Sequence, residues 1–294
     1  MQTNNPSQRP DLQTQAKLLR RAIRRSGQKL RYRQWSLDNT PILFANSFPK
    51  SGTHLLTQVL RGFSHLGPVV DSGLPAVTSF DGYTGRPRTE LDIQRDLERL
   101  LPGDIAYGHV HAFPKAVGFL CQAGIGAYLI LRDPRDVVVS HVYYVTEIEP
   151  DHIHHSYYTE QLNDFDERLK TSILGIPDPD IPFPDIRARL EPYMGWLDRP
   201  EVLTLHFEDF VNDREGSIEK VYNHAVERSF QTSIEKGEAI KLLAQGIDPQ
   251  RSPTFRSGKA GGWRTAFNPE NKDLFKEIAG DLLIRLGYEK NLDW

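Results

Sequence analysis

The stretch ILFANSFPKSGTHLLTQVLRGF, residues 42–63, decides the fold. Ile42 to Phe48 is a short apolar run rich enough in branched and aromatic residues to be a buried strand. From Thr53 onward Leu55, Leu56, Val59, Leu60 and Phe63 recur at helical spacing. Between the two lies a tight turn, Phe48 to Thr53. A strand feeding a helix through such a turn aims backbone N–H groups and the positive end of the helix dipole at one point, which suits a phosphate. Gly52 admits the anion without a Cβ in the way, Ser51 and Thr53 add hydroxyl donors, and Lys50 adds positive charge. A nucleotide triphosphatase loop needs two glycines flanking four residues and then Lys-Ser/Thr. Here the order is Lys-Ser-Gly-Thr, and no acidic strand end is placed to hold magnesium, which disfavours a magnesium nucleotide.

Working outward, strands are predicted at Ile42 to Phe48, Ile105 to His109, Ala127 to Arg132 and Val202 to Phe207. Helices are predicted at Thr53 to Ser64, Thr89 to Leu101, Lys115 to Ala123, Pro134 to Val145, Gly216 to Glu227 and Glu270 to Leu286. This alternation signals a parallel sheet with crossover helices. Two stretches, Gly67 to Arg88 and Thr146 to Asp185, resist the pattern, and as long loops they are candidates for a substrate pocket.

The 294 residues, 38% hydrophobic and 26% charged, suffice for a sizeable core. A single cysteine, Cys121, rules out an internal disulfide and fits the cytoplasm. No apolar run is long enough to span a bilayer. Residues 1–33 carry nine Lys/Arg against one acid, Asp11, a charge of +8 in a chain of net −3. This segment is expected to be a helix packed on the domain through Leu19, Ile23 and Leu30, with peripheral contact to an acidic membrane surface as the alternative. No nucleic-acid-binding motif accompanies it.

Two further segments carry anion-binding chemistry. YLILRDPRDVVVS, residues 128–140, reads as a strand entering a helix, with Asp133 at its cap, Pro134 in its first turn, Arg132 leaving the strand's carboxyl end, and Ser140 two turns along. FRSGKAGGWR, residues 255–264, is a glycine-rich basic loop able to fold over an anion.

In this order and at these separations, the three segments resemble the PAPS-dependent sulfotransferase family, PAPS being 3'-phosphoadenosine-5'-phosphosulfate. The turn resembles the family's phosphosulfate element, Arg132 to Ser140 its 3'-phosphate element, and Arg256 to Trp263 its C-terminal loop. Leu205 to Phe210 and the ending Leu286-Gly287-Tyr288 also resemble it, so that the likeness runs from Pro41 to the C-terminus. It implies a three-layer α/β fold with a central, mainly parallel sheet and a P-loop-like phosphate-binding turn. It assigns 41–294 to a sulfotransferase domain, ahead of which the basic segment, 1–40, is expected to be helical. PAPS would then be held by Lys50, Ser51, Gly52, Thr53, His54, Arg132, Ser140, Phe207, Arg256, Ser257 and Gly258. Two departures stand out. Thr53-His54-Leu55 replaces the Thr-Thr-Trp usual in cytosolic members, which removes the indole that stacks on adenine. Ser257 stands where a Lys is frequent, with Lys259 nearby to compensate.

The segment YGHVHAFP, residues 107–114, offers two histidines that face one side if the strand continues through them. A histidine with a pKa near neutrality suits a general base for an acceptor hydroxyl. The resemblance points to His109, with His111 as the alternative. A zinc site built from this pair and His152, His154 or His155 lacks a fixing motif, and sulfuryl transfer from PAPS needs no metal. The expected reaction is in-line displacement at sulfur, with Lys50 stabilising the charge on the bridging oxygen and a hydroxyl or amine acceptor of small-molecule, lipid or carbohydrate type. A non-catalytic PAPS sensor and an ATP-dependent small-molecule kinase are the alternatives.

Overall fold

The structure, a computed structural model, describes residues 12–252 and 258–294. Its strands are β1 (Ile42–Ser47), β2 (Val70–Asp71), β3 (Val77–Thr78), β4 (Asp104–His109), β5 (Ile125–Leu131) and β6 (Val202–His206). The helices are α1 (Leu12–Arg31), α2 (Thr53–Gly62), α3 (Glu90–Glu98), α4 (Pro114–Leu120), α5 (Pro134–Tyr143), α6 (Phe165–Leu174), α7 (Ile186–Leu190), α8 (Phe207–Asn212), α9 (Arg214–Glu227), α10 (Lys236–Gln245), α11 (Trp263–Ala266) and α12 (Pro269–Arg285). The strands pair in parallel in the order β2-β4-β1-β5-β6, and β3 shares the outer edge of β4 with β2.

The period-two geometry of β1 divides the core. Leu43 and Ala45 face one side, where Leu56, Val59 and Leu60 of α2 join α9 and α10; each fully buried side chain of this size is worth about 1.5–3 kcal/mol. Ile42 and Phe44 face the other, against α4, α5, α6 and α12. The result is the expected sheet with helices on both faces. It brings the carboxyl ends of β1, β4, β5 and β6 together along one rim, where open α/β sheets bind ligands.

The helix predictions hold to within a few residues, but α6 lies inside a stretch read as loop. Its start carries a legible signal: Asp164 accepts the N–H of Glu167, and Gly175 follows the last turn. A π-helical turn, Tyr144–Ile148, runs into this stretch, and a second, Tyr157–Gln161, lies inside it.

The α1 expectation is overturned. Leu19, Ile23 and Leu30 are 63%, 62% and 61% exposed, so they do not form the docking face. The helix docks by its polar side. Arg21 and Arg25 both reach the fully buried carboxylate of Asp104, and Gln28 donates to the carbonyls of Ser64 (2.9 Å) and Val69 (2.7 Å). The buried acid and its two arginines decide the orientation, because an unpaired buried carboxylate is far more costly than an exposed leucine. Among the described residues no helix is long and apolar enough to cross a membrane.

Candidate active site

The phosphate turn is built by two residues with positive φ. Lys50 (φ 68°) and Gly52 (φ 100°) reverse the chain between β1 and α2, and the N–H of Ser51 closes the turn on the carbonyl of Phe48 at 3.2 Å. A Cβ on Gly52 would lie 2.9 Å from the Phe207 ring and 3.2 Å from Ile130, so only glycine fits. The first intrahelical bond of α2 runs from Leu56 N–H to Gly52, which leaves the amides of Gly52, Thr53, His54 and Leu55 without helical acceptors. These four form the anion-binding end.

Ser51 departs from its expected role. It is fully buried beneath the turn, its hydroxyl makes no hydrogen bond with the described residues, and its amide is committed to Phe48. Thr53 also turns inward, its hydroxyl 2.7 Å from that of Ser47. The donors left free at the turn are therefore backbone amides shifted one residue along.

A cavity of about 680 Å³ opens on this turn and is lined by Lys50, Gly52, Thr53, His54, His109, His111, Arg132, Ser140, Phe207 and Gly258. The chain thus gathers these sequence-selected residues at one site. Arg256 and Ser257 lie outside the described residues. Both long loops contribute walls, the first through Thr78 to Gly82, the second through His152 to His154 and Pro182 to Pro184.

The Lys50 ammonium lies 3.4 Å from the Tyr144 ring centroid. Burial pulls its pKa down to about 7, Arg132 adds to that, and Glu149 opposes it. Arg132 lies over the Phe207 ring at 4.7 Å and donates to the carbonyl of Lys259 at 2.9 Å. Its contact with Asp136 is 3.6 Å, because Asp136 is occupied elsewhere: its carboxylate accepts the amides of Gly261 (2.7 Å) and Trp263 (2.8 Å). Arg135 faces away from the cavity, buried between Trp263 and Trp294, bidentate to Asp133 and paired with Glu289.

The strand β4 ends at His109, whose Nδ1 lies 2.9 Å from the carbonyl of Ser47. A carbonyl only accepts, so Nδ1 carries the proton and Nε2 keeps its lone pair. Ser47 thereby ties His109 to the turn, since its hydroxyl also meets that of Thr53. Burial pushes the pKa of His109 down to about 4, with the Ser47 bond opposing and His54 and Lys50 assisting, well below the near-neutral value expected. His111 also lines the cavity, edge-on to Tyr193, and burial takes it to about 4. Burial, Lys50 and Arg61 lower the pKa of His54.

Three features escaped the sequence. Asp136 stands in the quoted helix, and its place in the first turn was the available signal. Gln58 exchanges two 2.9 Å hydrogen bonds with Asp248, which holds Ile247 and Pro249 beside His54 in the cavity wall. His141, His152 and His154 come together on the cavity's far wall, a different grouping from the one weighed around His109 and His111. Burial is the chief cause that lowers all three, His152 to about 4 and His154 to about 3.

A sulfotransferase domain model matches residues 128–287, more than half of the chain. No curated protein matches in sequence. Among solved structures, the mouse sulfotransferase SULT7A1 complexed with PAP is similar with a TM-score of 0.56 at 19% identity, over 87% of this chain and 90% of that one. A retinol dehydratase in complex with retinol and PAP gives 0.54 at 17% identity, over 84% and 83%. A retinol dehydratase in complex with androsterone and the inactive cofactor PAP gives 0.53 at 16% identity, with the same coverage. At such identities the likeness is one of fold. The match over residues 128–287 goes further: this chain belongs to the sulfotransferase domain family.

Proposed function

We propose that this chain moves the sulfuryl group of PAPS to an acceptor hydroxyl or amine. The observation that carries the reading is convergence. One cavity is lined at once by the amide-rich start of α2, by Lys50, by Arg132 and Ser140, and by a histidine whose Nε2 is free to take a proton. The α2 amides would hold the 5'-phosphate and Lys50 the bridging oxygen, while Arg132 and Ser140 would hold the 3'-phosphate that sets PAPS apart from ordinary adenine nucleotides. In place of the missing indole, the wall of His54, Ile247 and Pro249 would pack against adenine.

The acceptor oxygen attacks sulfur in line as the bond from sulfur to the bridging oxygen breaks. Its proton passes to His109 Nε2, and PAP leaves with the bridging oxygen's charge stabilised by Lys50. The acceptor side is aromatic, formed by Phe80, Tyr144, Phe183 and Tyr193. It suits a small molecule with an apolar body and one nucleophilic group, in keeping with the retinol and androsterone carried by the similar structures.

Titrating PAP against ATP with magnesium separates this reading from a kinase. Mass analysis of products formed from labelled PAPS and a panel of apolar hydroxyl compounds separates an enzyme from a sensor. Tighter binding of magnesium ATP than of PAP would overturn the proposal.

We further infer a cytoplasmic chain that rests on an anionic membrane surface through α1. Leu19, Ile23 and Leu30 form one exposed row on that helix, and Arg20 and Arg31, both exposed, flank it. A helix lying in an acidic headgroup layer presents this combination.

A further inference from the structure

His141 on α5 and His152 and His154 from the following loop each offer a ring nitrogen within 4.8 Å of the other two. Ring centroids are 6.0, 5.8 and 4.8 Å apart, and among the described residues no carboxylate joins the set. His141 and His154 are 6% and 4% exposed, yet all three residues line the cavity.

The hydrogen bonds around His141 leave a lone pair pointing at the cluster. The Ser172 hydroxyl donates to the carbonyl of Val138 at 3.1 Å, so its oxygen accepts from His141 Nδ1–H, also at 3.1 Å. His141 Nε2 is then unprotonated, and it is buried without a hydrogen-bond partner. An imidazole fixed through one nitrogen by a polar neighbour, with the other bare, is the arrangement that metal-ligating histidines adopt. Among the described residues both ring nitrogens of His154 are likewise buried without a hydrogen bond of full geometry, the backbone of Pro182 being the polar neighbour. His152 Nδ1 accepts the backbone N–H of His154 at 3.1 Å, a single local bond that a metal would displace.

We propose that His141, His152 and His154 bind one divalent transition-metal ion of the zinc class, with a fourth position open to the acceptor. Three imidazoles and no oxygen ligand favour zinc, cobalt, nickel or copper over magnesium or calcium. Three protein ligands and an open position form the pattern of zinc sites that take a small molecule or water. Tetrahedral coordination needs the nitrogens about 3.3 Å apart, a modest contraction of the cluster. Two cations stand nearby. Phe183 lies between Arg189 and His141, stacked on the ring at 4.3 Å and carrying the guanidinium at 3.9 Å on its own face. Lys50 is the other, on the ring of Tyr144, which itself meets His152 edge-on. The fourth ligand would be an acceptor's hydroxyl or carboxylate oxygen, and this part alone rests on the sulfotransferase reading.

The test is cobalt binding to chelator-treated full-length protein, followed by visible spectroscopy and zinc competition, with PAP binding measured separately on each form. Wild type should take one cobalt per chain with the intense bands of four-coordinate geometry. His152→Ala, half-buried and so tolerant of replacement, should lose it while still binding PAP. Ser172→Ala should weaken it roughly 10–100-fold by freeing the His141 ring. His155→Ala, whose ring is held by the carbonyl of Val145 outside the cluster, should bind as wild type does. Absence of a four-coordinate spectrum in wild type, or full binding by His152→Ala, would overturn the site. Loss of PAP binding in every form would instead overturn the donor assignment and leave the metal site standing.

Discussion

The carboxylate of Asp136, in the first turn of α5, accepts the amide of Trp263 at 2.8 Å across 127 residues of sequence. Its second oxygen takes the amide of Gly261, so one side chain fixes the end of the glycine-rich loop to the helix that carries Ser140. On the proposed reading, in which this loop closes over the 3'-phosphate, Asp136 would set its approach. Asp136→Asn keeps one acceptor oxygen and puts an N–H donor against the other amide. A hydrogen bond to a charged group is worth about 1.5–3 kcal/mol, so PAP binding should weaken by roughly tenfold or more. Calorimetric titration checks this, and an unchanged Kd would separate the clamp from cofactor binding.

Lys50 gives the cofactor affinity a pH dependence of fixed sign. In the empty cavity its pKa is about 7, so it is increasingly neutral above that pH. A bound phosphosulfate raises the pKa, so binding at higher pH must draw in a proton. PAP affinity should be level below about pH 7 and fall above it, approaching tenfold per pH unit. Lys50→Arg, charged throughout, should flatten the curve. A slope that persists in the arginine variant would assign the linkage to another group.

The strand, turn and helix of residues 42–63 were legible because their signals are local: an apolar run, Gly52, and leucines at helical spacing. Arg132, Ser140 and His109 were legible as members of ordered motifs. What the sequence hid is held by long-range polar contacts. Asp104 and Arg21 meet across 83 residues, and nothing in the pattern of α1 announces that its apolar row will face outward. The inward turn of Ser51 follows from the left-handed Lys50, a conformation that non-glycine residues adopt only where tertiary structure imposes it. His141 sits in an apolar helix, and only the path of the following loop brings His152 and His154 to it.

The two sides of α1 should respond oppositely to substitution. Arg21→Ala removes a partner of a fully buried carboxylate and should destabilise the fold by up to about 3–5 kcal/mol, the scale of a broken buried pair, with Arg25 offsetting part of it. Replacing Leu19, Ile23 and Leu30 together by Ser should shift stability by only about 0.5 kcal/mol each, yet abolish sedimentation with vesicles rich in phosphatidylserine. Denaturant melts and vesicle sedimentation measure both. Neutral vesicles should leave the wild type in the supernatant, and undiminished sedimentation of the triple variant would remove α1 from membrane contact.

The histidine assignment yields the sharpest kinetic expectation. His109 holds Nδ1–H against Ser47 and leaves Nε2 free, whereas His111 is turned edge-on to Tyr193. His109→Ala should cut turnover by roughly 10²–10⁴ with PAP affinity nearly intact, and His111→Ala should do much less. A base acts when deprotonated, so the rate falls as pH drops through its pKa. With that pKa pushed to about 4, the acid limb for a hydroxyl acceptor should lie far below the 6.5 of an ordinary histidine. Bound cofactor adds negative charge and should move the limb upward in kcat relative to the free enzyme, a shift that no structural histidine remote from the phosphates would show. In His109→Ala the limb should vanish. Rate profiles between pH 4 and 9 for wild type and both variants decide the matter: a His109 variant with full rate and an unchanged limb would hand the role to another group.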